Sequence, residues 1–163
     1  MQGTLHCREV IEMAQSIIDT LKQEHQVVLS KLAELSSEGV SDRKQKYESL
    51  KENLIPHLVG EEKALYPRLK EESDMRGMAL ESIEEHGAVK TLLSQLDDAS
   101  ISEEEIWVAK MKVIRENVEH HINEEEERKI FPAMQQKMSS DELSTLNSRY
   151  MDAKKAVLPV ASR

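Results

Sequence analysis

One pattern constrains this chain more than any other, and it occurs twice: a histidine followed further on by His-x-x-x-Glu. The first copy is His25 with His57-Leu58-Val59-Gly60-Glu61, and the second is His86 with His121-Ile122-Asn123-Glu124-Glu125. The 163 residues include only 5 Gly and 4 Pro and are rich in Leu, Glu, Lys, Met and Ala. Those residue types favour helix. In a helix, both side chains of an i,i+4 pair leave the same face one turn apart. The fold must therefore be one in which helices can bring these polar faces together.

The apolar register shows how. A first helix from about Cys7 to Leu35 carries Ile11, Ala14, Ile18, Leu21, Val28, Leu32 and Leu35 in steps of three and four, with His25 on the same stripe. Ser36-Ser37-Glu38-Gly39-Val40 breaks it. A second helix aligns Tyr47, Leu50, Leu54, His57, Glu61 and Leu65, and Pro56 predicts a kink just before His57. A third, from about Asp74 to Leu96, aligns Ser82 or Ile83, His86, Val89, Leu93 and Leu96. Ser102 and Glu105 have capping-box spacing ahead of a fourth helix bearing Trp107, Met111, Ile114, Val118, His121 and Glu125. Ile130, Phe131 and Met134 then fall one residue late, which predicts a π-bulge. Ser139 and Glu142 open a short last helix, about 140–156, and the tail from Leu158 is expected to fray. The reading is one all-α domain over 1–163: an up-down four-helix bundle, about 7–138, with a short additional C-terminal helix.

The halves also read as a duplication. Glu24-His25-x-x-Val28 echoes Glu85-His86-x-x-Val89, and Leu65-Tyr66-Pro67 echoes Ile130-Phe131-Pro132. The second copy is one residue longer, and the extra residue is read as lying between Glu125 and Pro132.

Charge narrows the partners. The net charge is −9 and aromatics are 3%, which disfavours nucleic acid and anionic membrane. A solvated acidic surface accounts for most of that charge. With a single cysteine, Cys7, there is no internal disulfide framework. No apolar run approaches the roughly 18 residues of a membrane span. A cytoplasmic protein is expected.

Six residues on inward stripes then need an explanation: His25, His57, Glu61, His86, His121 and Glu125. Burying an unpaired carboxylate costs several kcal/mol, and four histidines add to it. Metal ions accept the imidazole lone pairs and neutralise the carboxylates, so that binding adds to folding. The mixed nitrogen and oxygen set points to first-row ions: imidazole suits iron, manganese, zinc, copper and nickel, while carboxylate favours harder ions such as iron and manganese. Two imidazoles for each of two ions, with both glutamates bridging, leave room for a small diatomic or peroxide ligand. Glu24, Glu62, Glu85 and Glu126 read as solvated acids, and Tyr47 and Tyr66 as packing residues. His120 with Glu124 is an alternative to His121 with Glu125.

These residues resemble the hemerythrin-like, HHE cation-binding family. The resemblance runs over about residues 10 to 135. It rests on His25, on His57-Leu-Val-Gly-Glu61-Glu62-x-x-Leu-Tyr-Pro67, on Glu85-His86, and on His120-His121-Ile-Asn-Glu-Glu125. It implies an up-down four-helix bundle with a non-haem diiron centre bridged by the two glutamates and an oxo or hydroxo group. The stretch from Glu125 to Pro132 is one residue longer than the usual spacing. Four histidines, rather than the five of invertebrate oxygen carriers, look more like members linked to nitric-oxide stress and iron-sulfur repair. The functions implied are O2 or NO binding or sensing, peroxide or NO turnover in stress defence, or an iron store or metal-stabilised interaction module. No protein partner is indicated.

Overall fold

The computed structural model describes the backbone of residues 14–161 and the side chains of 14–157. Within that span the protein is all-helical. The elements are α1 (Ile17–Leu35), α2 (Arg43–Gly60), a π-helical turn π1 (Glu61–Leu65), α3 (Tyr66–Leu69), α4 (Arg76–Asp98), α5 (Glu104–His120), a longer π-helical segment π2 (His121–Ile130), α6 (Phe131–Lys137) and α7 (Ser140–Ala161).

Helix ends follow local chemistry in some places and not in others. The first helix begins at Ile17, not earlier, because Ser16 takes an extended conformation and its hydroxyl accepts from the Ile18 N–H. Cys7 and Ile11 lie outside the described residues. The Ser139/Glu142 pair does form a reciprocal cap: Glu142 N–H donates to Ser139 Oγ at 3.2 Å, and Ser139 N–H to Glu142 Oε2 at 3.4 Å. The Ser102/Glu105 pair does not. Its helix starts at Glu104, and Ser102 Oγ pairs with Ser100 Oγ at 2.7 Å. Pro56 lies buried inside α2, which continues through it.

The core is two apolar layers with a polar layer between. One layer gathers Ile17, Ile18 and Leu21 of α1 with Leu65, Tyr66, Leu69, Met75, Ala79, Ile130, Phe131, Met134 and Tyr150. The other gathers Val28, Leu32 and Leu35 with Tyr47, Leu50, Leu54, Val89, Leu93, Leu96, Trp107, Met111, Ile114 and Val118. His25, His57, Glu61, His86, His121 and Glu126 fall at the junction, each no more than 3% exposed. Apolar layers above and below hold these side chains in a dry, close-packed frame.

The last helix is not a short appendage. It runs 22 residues and packs along α2, π1 and α1. Gly60 makes that approach possible: a Cβ there would lie 2.6 Å from Tyr150 Cε2. Among the described residues no helix is long and apolar enough to cross a membrane.

Candidate metal centre

Each of the four histidines turns one ring nitrogen outward to a carboxylate. His25 Nδ1 lies 2.8 Å from Glu127 Oε1, and His57 Nδ1 lies 2.9 Å from Glu24 Oε2. His86 Nδ1 lies 3.1 Å from Glu62 Oε1, and His121 Nδ1 lies 2.6 Å from Glu85 Oε2. A carboxylate only accepts, so each Nδ1 carries the proton and donates. In the neutral imidazole each Nε2 then keeps its lone pair, which faces the interior. Glu24, Glu62 and Glu85 are therefore not idle surface acids. Lys90 grips Glu62 at 2.6 Å, while Tyr150 and Lys154 both donate to Glu24.

Two glutamates stand between the histidine pairs. Glu61 Oε1 is 3.4 Å from His57 Nε2, and its Oε2 is 3.4 Å from His86 Nε2. Glu126 Oε2 is 3.0 Å from His25 Nε2, and its Oε1 is 3.6 Å from His121 Nε2. Each carboxylate thus offers one oxygen to the pair His25/His57 and the other to His86/His121. His25, His57, Glu61 and Glu126 form one compact donor group, and Glu61, His86 and His121 form another.

Five of the six residues expected from sequence converge here, and Glu125 does not. Its carboxylate turns aside to Lys129 Nζ at 2.6 Å, and Glu126 takes its place. The reason is π2. A π-helix bonds i to i+5, so residue i+5 rather than i+4 returns over residue i. The Phe131 N–H donates to the Glu126 carbonyl, as the Tyr66 N–H does to that of Glu61. These matching bonds align Glu61 with Glu126 and Tyr66 with Phe131. The extra residue of the second copy therefore lies between His121 and its glutamate, not after it. His120 stays outside, its side chain 58% exposed and 3.7 Å from Glu85.

The donor set fits a cation and suits nothing else in the core. Both Glu61 oxygens are buried without a hydrogen-bond partner among the described residues, and His25 Nε2 and Glu126 Oε2 have only each other, at 3.0 Å. His86 Nε2 and His121 Nε2 face each other at 3.0 Å. Without a cation the cluster must share protons. Burial, and then the charge of Glu126, push the Glu61 carboxyl well above its usual range. Burial opposes the charge of Glu126 too, yet His121 and His25 beside it hold its carboxyl well below that range. Burial drives the His57 imidazole down to about 4. His121 rises to about 9, because Glu126 and Glu85 outweigh its burial. A cation placed among the Nε2 atoms and carboxylates would replace these protons.

Several participants were not recognised in the sequence. Tyr47 packs as expected, edge-on to Trp107, with its hydroxyl on Asp97. Tyr66 does not merely pack: its buried hydroxyl reaches His86, His121 and Glu126. Tyr150 and Lys154 arrive from α7, a helix outside the duplication. A usable signal did exist for Glu126. Counting back from Pro67 to Glu61 and from Pro132 to Glu126 gives the same interval.

The sequence profile of the family described as Hemerythrin HHE cation binding domain matches residues 16–134, well over half of the chain and all of the His/Glu donor set. Comparisons with curated proteins and with solved structures give no match. The matched span and the buried His/Glu cluster it encloses place this chain in the hemerythrin HHE cation-binding family.

Proposed function

We propose that this protein holds a pair of iron ions and uses them to bind or sense a small diatomic ligand, O2 or NO. One observation carries the reading: two glutamates each present one oxygen to each histidine pair. His25, His57, His86 and His121 would hold the ions through Nε2, with Glu61 and Glu126 shared between them. Imidazole and carboxylate donors without thiolate suit iron and manganese. Ferrous ions of that kind supply affinity for O2 and NO and the ability to change oxidation state.

The protein's part is to position and to insulate. Glu24, Glu62, Glu85 and Glu127 fix each imidazole's proton on Nδ1 and aim its lone pair inward. The two apolar layers keep bulk water away from the cluster, which strengthens every charge interaction inside it. The same reading takes the fold as an up-down bundle. Helices α1 and α4 run from the first apolar layer to the second, and the chain returns to the first through α2 with π1 and through α5 with π2.

The test is metal analysis with absorption spectroscopy on iron-loaded protein, anaerobic and then exposed to O2 or NO. Two irons per chain and a gas-dependent spectrum are expected. Fewer than two tightly held ions, or a spectrum indifferent to both gases, refutes the proposal.

A further inference from the structure

The two histidine pairs are not equivalent, and the difference is one oxygen atom. Tyr66 Oη lies 3.1 Å from His86 Nε2, 3.3 Å from His121 Nε2 and 3.0 Å from Glu126 Oε1. The tyrosine is 0% exposed. Donor atoms about 2.1 Å from one ion and at right angles to each other lie about 3 Å apart. Tyr66 Oη, His86 Nε2 and His121 Nε2 have that mutual spacing.

Hydrogen bonding alone does not account for the contact. The single hydroxyl proton goes to Glu126 Oε1, which can only accept. His86 has committed its own proton, on Nδ1, to Glu62. The Tyr66 oxygen therefore meets the lone pair of His86 Nε2 with no proton between them. A proton on His121 Nε2 relieves the contacts of that ring and leaves this one. A shared cation satisfies all three atoms at once.

The duplicated position on the other side is Phe131, which has no oxygen to offer. Its ring stacks on His25, centroids 5.8 Å apart and planes 2° from parallel. A tyrosine hydroxyl on that side belongs to Tyr150. It lies 3.0 Å from His57 Nδ1, the outward nitrogen.

We propose that Tyr66 Oη is a direct ligand of the ion held by His86 and His121, and that Phe131 leaves the matching position on the His25/His57 ion free for an incoming small ligand. This rests on the diiron reading above. The phenolic proton is released to solvent as the ferric ion binds, as protons are from any ligand that must deprotonate. The asymmetry sends the exogenous ligand to one ion of the pair.

The experiment uses the ferric-loaded full chain, with iron analysis, visible absorption, resonance Raman and azide titration. Wild-type protein should show a phenolate-to-iron band with phenolate ring modes and take up one azide per chain. Tyr66→Phe should keep two irons, lose the band and ring modes, and accept a second azide. Tyr47→Phe should keep both signals, because that hydroxyl bonds Asp97 away from the cluster, so it serves as the folded tyrosine control. Wild-type protein with two irons and no phenolate signature overturns the ligand assignment, and needs no variant to do so. Loss of the signature in Tyr47→Phe protein that still holds two irons overturns it as well. Equal azide stoichiometry in wild type and Tyr66→Phe overturns the directed entry. Failure of wild-type protein to bind two irons overturns both this inference and the diiron reading.

Discussion

Replacing Glu126 and Glu125, one at a time, separates the register seen in the structure from the one the spacing suggested. Glu126 is 0% exposed and faces both histidine pairs. Glu126→Gln keeps the shape of the side chain but removes a charged oxygen from each donor set. Losing an outer partner of a metal ligand costs about 10–100-fold in affinity. Losing a carboxylate that serves both sets should cost at least about 100-fold, or about 2.8 kcal/mol. Glu125 instead holds Lys129, whose side chain is 50% exposed. The Glu125 side chain is buried but belongs to neither donor group, so Glu125→Gln should change metal affinity by less than about fivefold, or about 1 kcal/mol. The assay is competition for iron against a chelator of known affinity, with bound metal counted after dialysis. Glu125→Gln protein that loses its metal while Glu126→Gln keeps it would refute the π-helical register.

Other consequences are open to measurement. In Gly60→Ala the new Cβ falls 2.6–2.8 Å from the Tyr150 ring, so urea denaturation should show a loss of about 1–3 kcal/mol; an unchanged midpoint would mean α7 does not pack as described. Removing metal by chelation should lower Tm by about 5–10 °C, because a ligand present at 100 times its Kd adds about 2.7 kcal/mol and each kcal/mol moves a domain of this size about 2–4 °C; identical melting with and without metal contradicts a site that cations stabilise. Burial opposes ionisation of Glu24, but the bonds from His57, Lys154 and Tyr150 prevail and hold its carboxyl at about 2. A depressed acid contributes stability that is present above its unfolded value and lost as pH falls through the folded one. The stability gap between metal-free wild type and Glu24→Gln should therefore be full above about pH 4.5 and close as pH drops toward 2, and a gap constant with pH would exclude this linkage.

Steps of three and four determine which face of a helix is buried. For that reason the stripes through His25, His57, Glu61, His86 and His121 could be read from sequence, and all five residues are found in the layer between the two cores. The late phase of Ile130 and Phe131 likewise announced an inserted residue. Its location was only indirectly legible. A π-turn anywhere between His121 and Pro132 restores the same downstream register; the equal intervals Glu61–Pro67 and Glu126–Pro132 point to Glu126, and the fold shows that its carboxylate faces the histidines. The outward partners were hidden for a different reason. Glu24, Glu62, Glu85 and Glu127 sit beside ligand positions in sequence but serve histidines on other helices. Tyr150 and Lys154 lie far along the chain, with no periodic link to the motif. The sequence by itself determined that this is a helical chain with a buried cation-binding layer, because periodicity is a local property and four histidines on apolar stripes need a cation. Tertiary structure alone decided which glutamate completes the layer, which acids orient the imidazoles, and that Tyr66 faces one histidine pair while Phe131 faces the other. Those choices depend on which helices meet and at what rotation, and spacing along one chain does not carry that information.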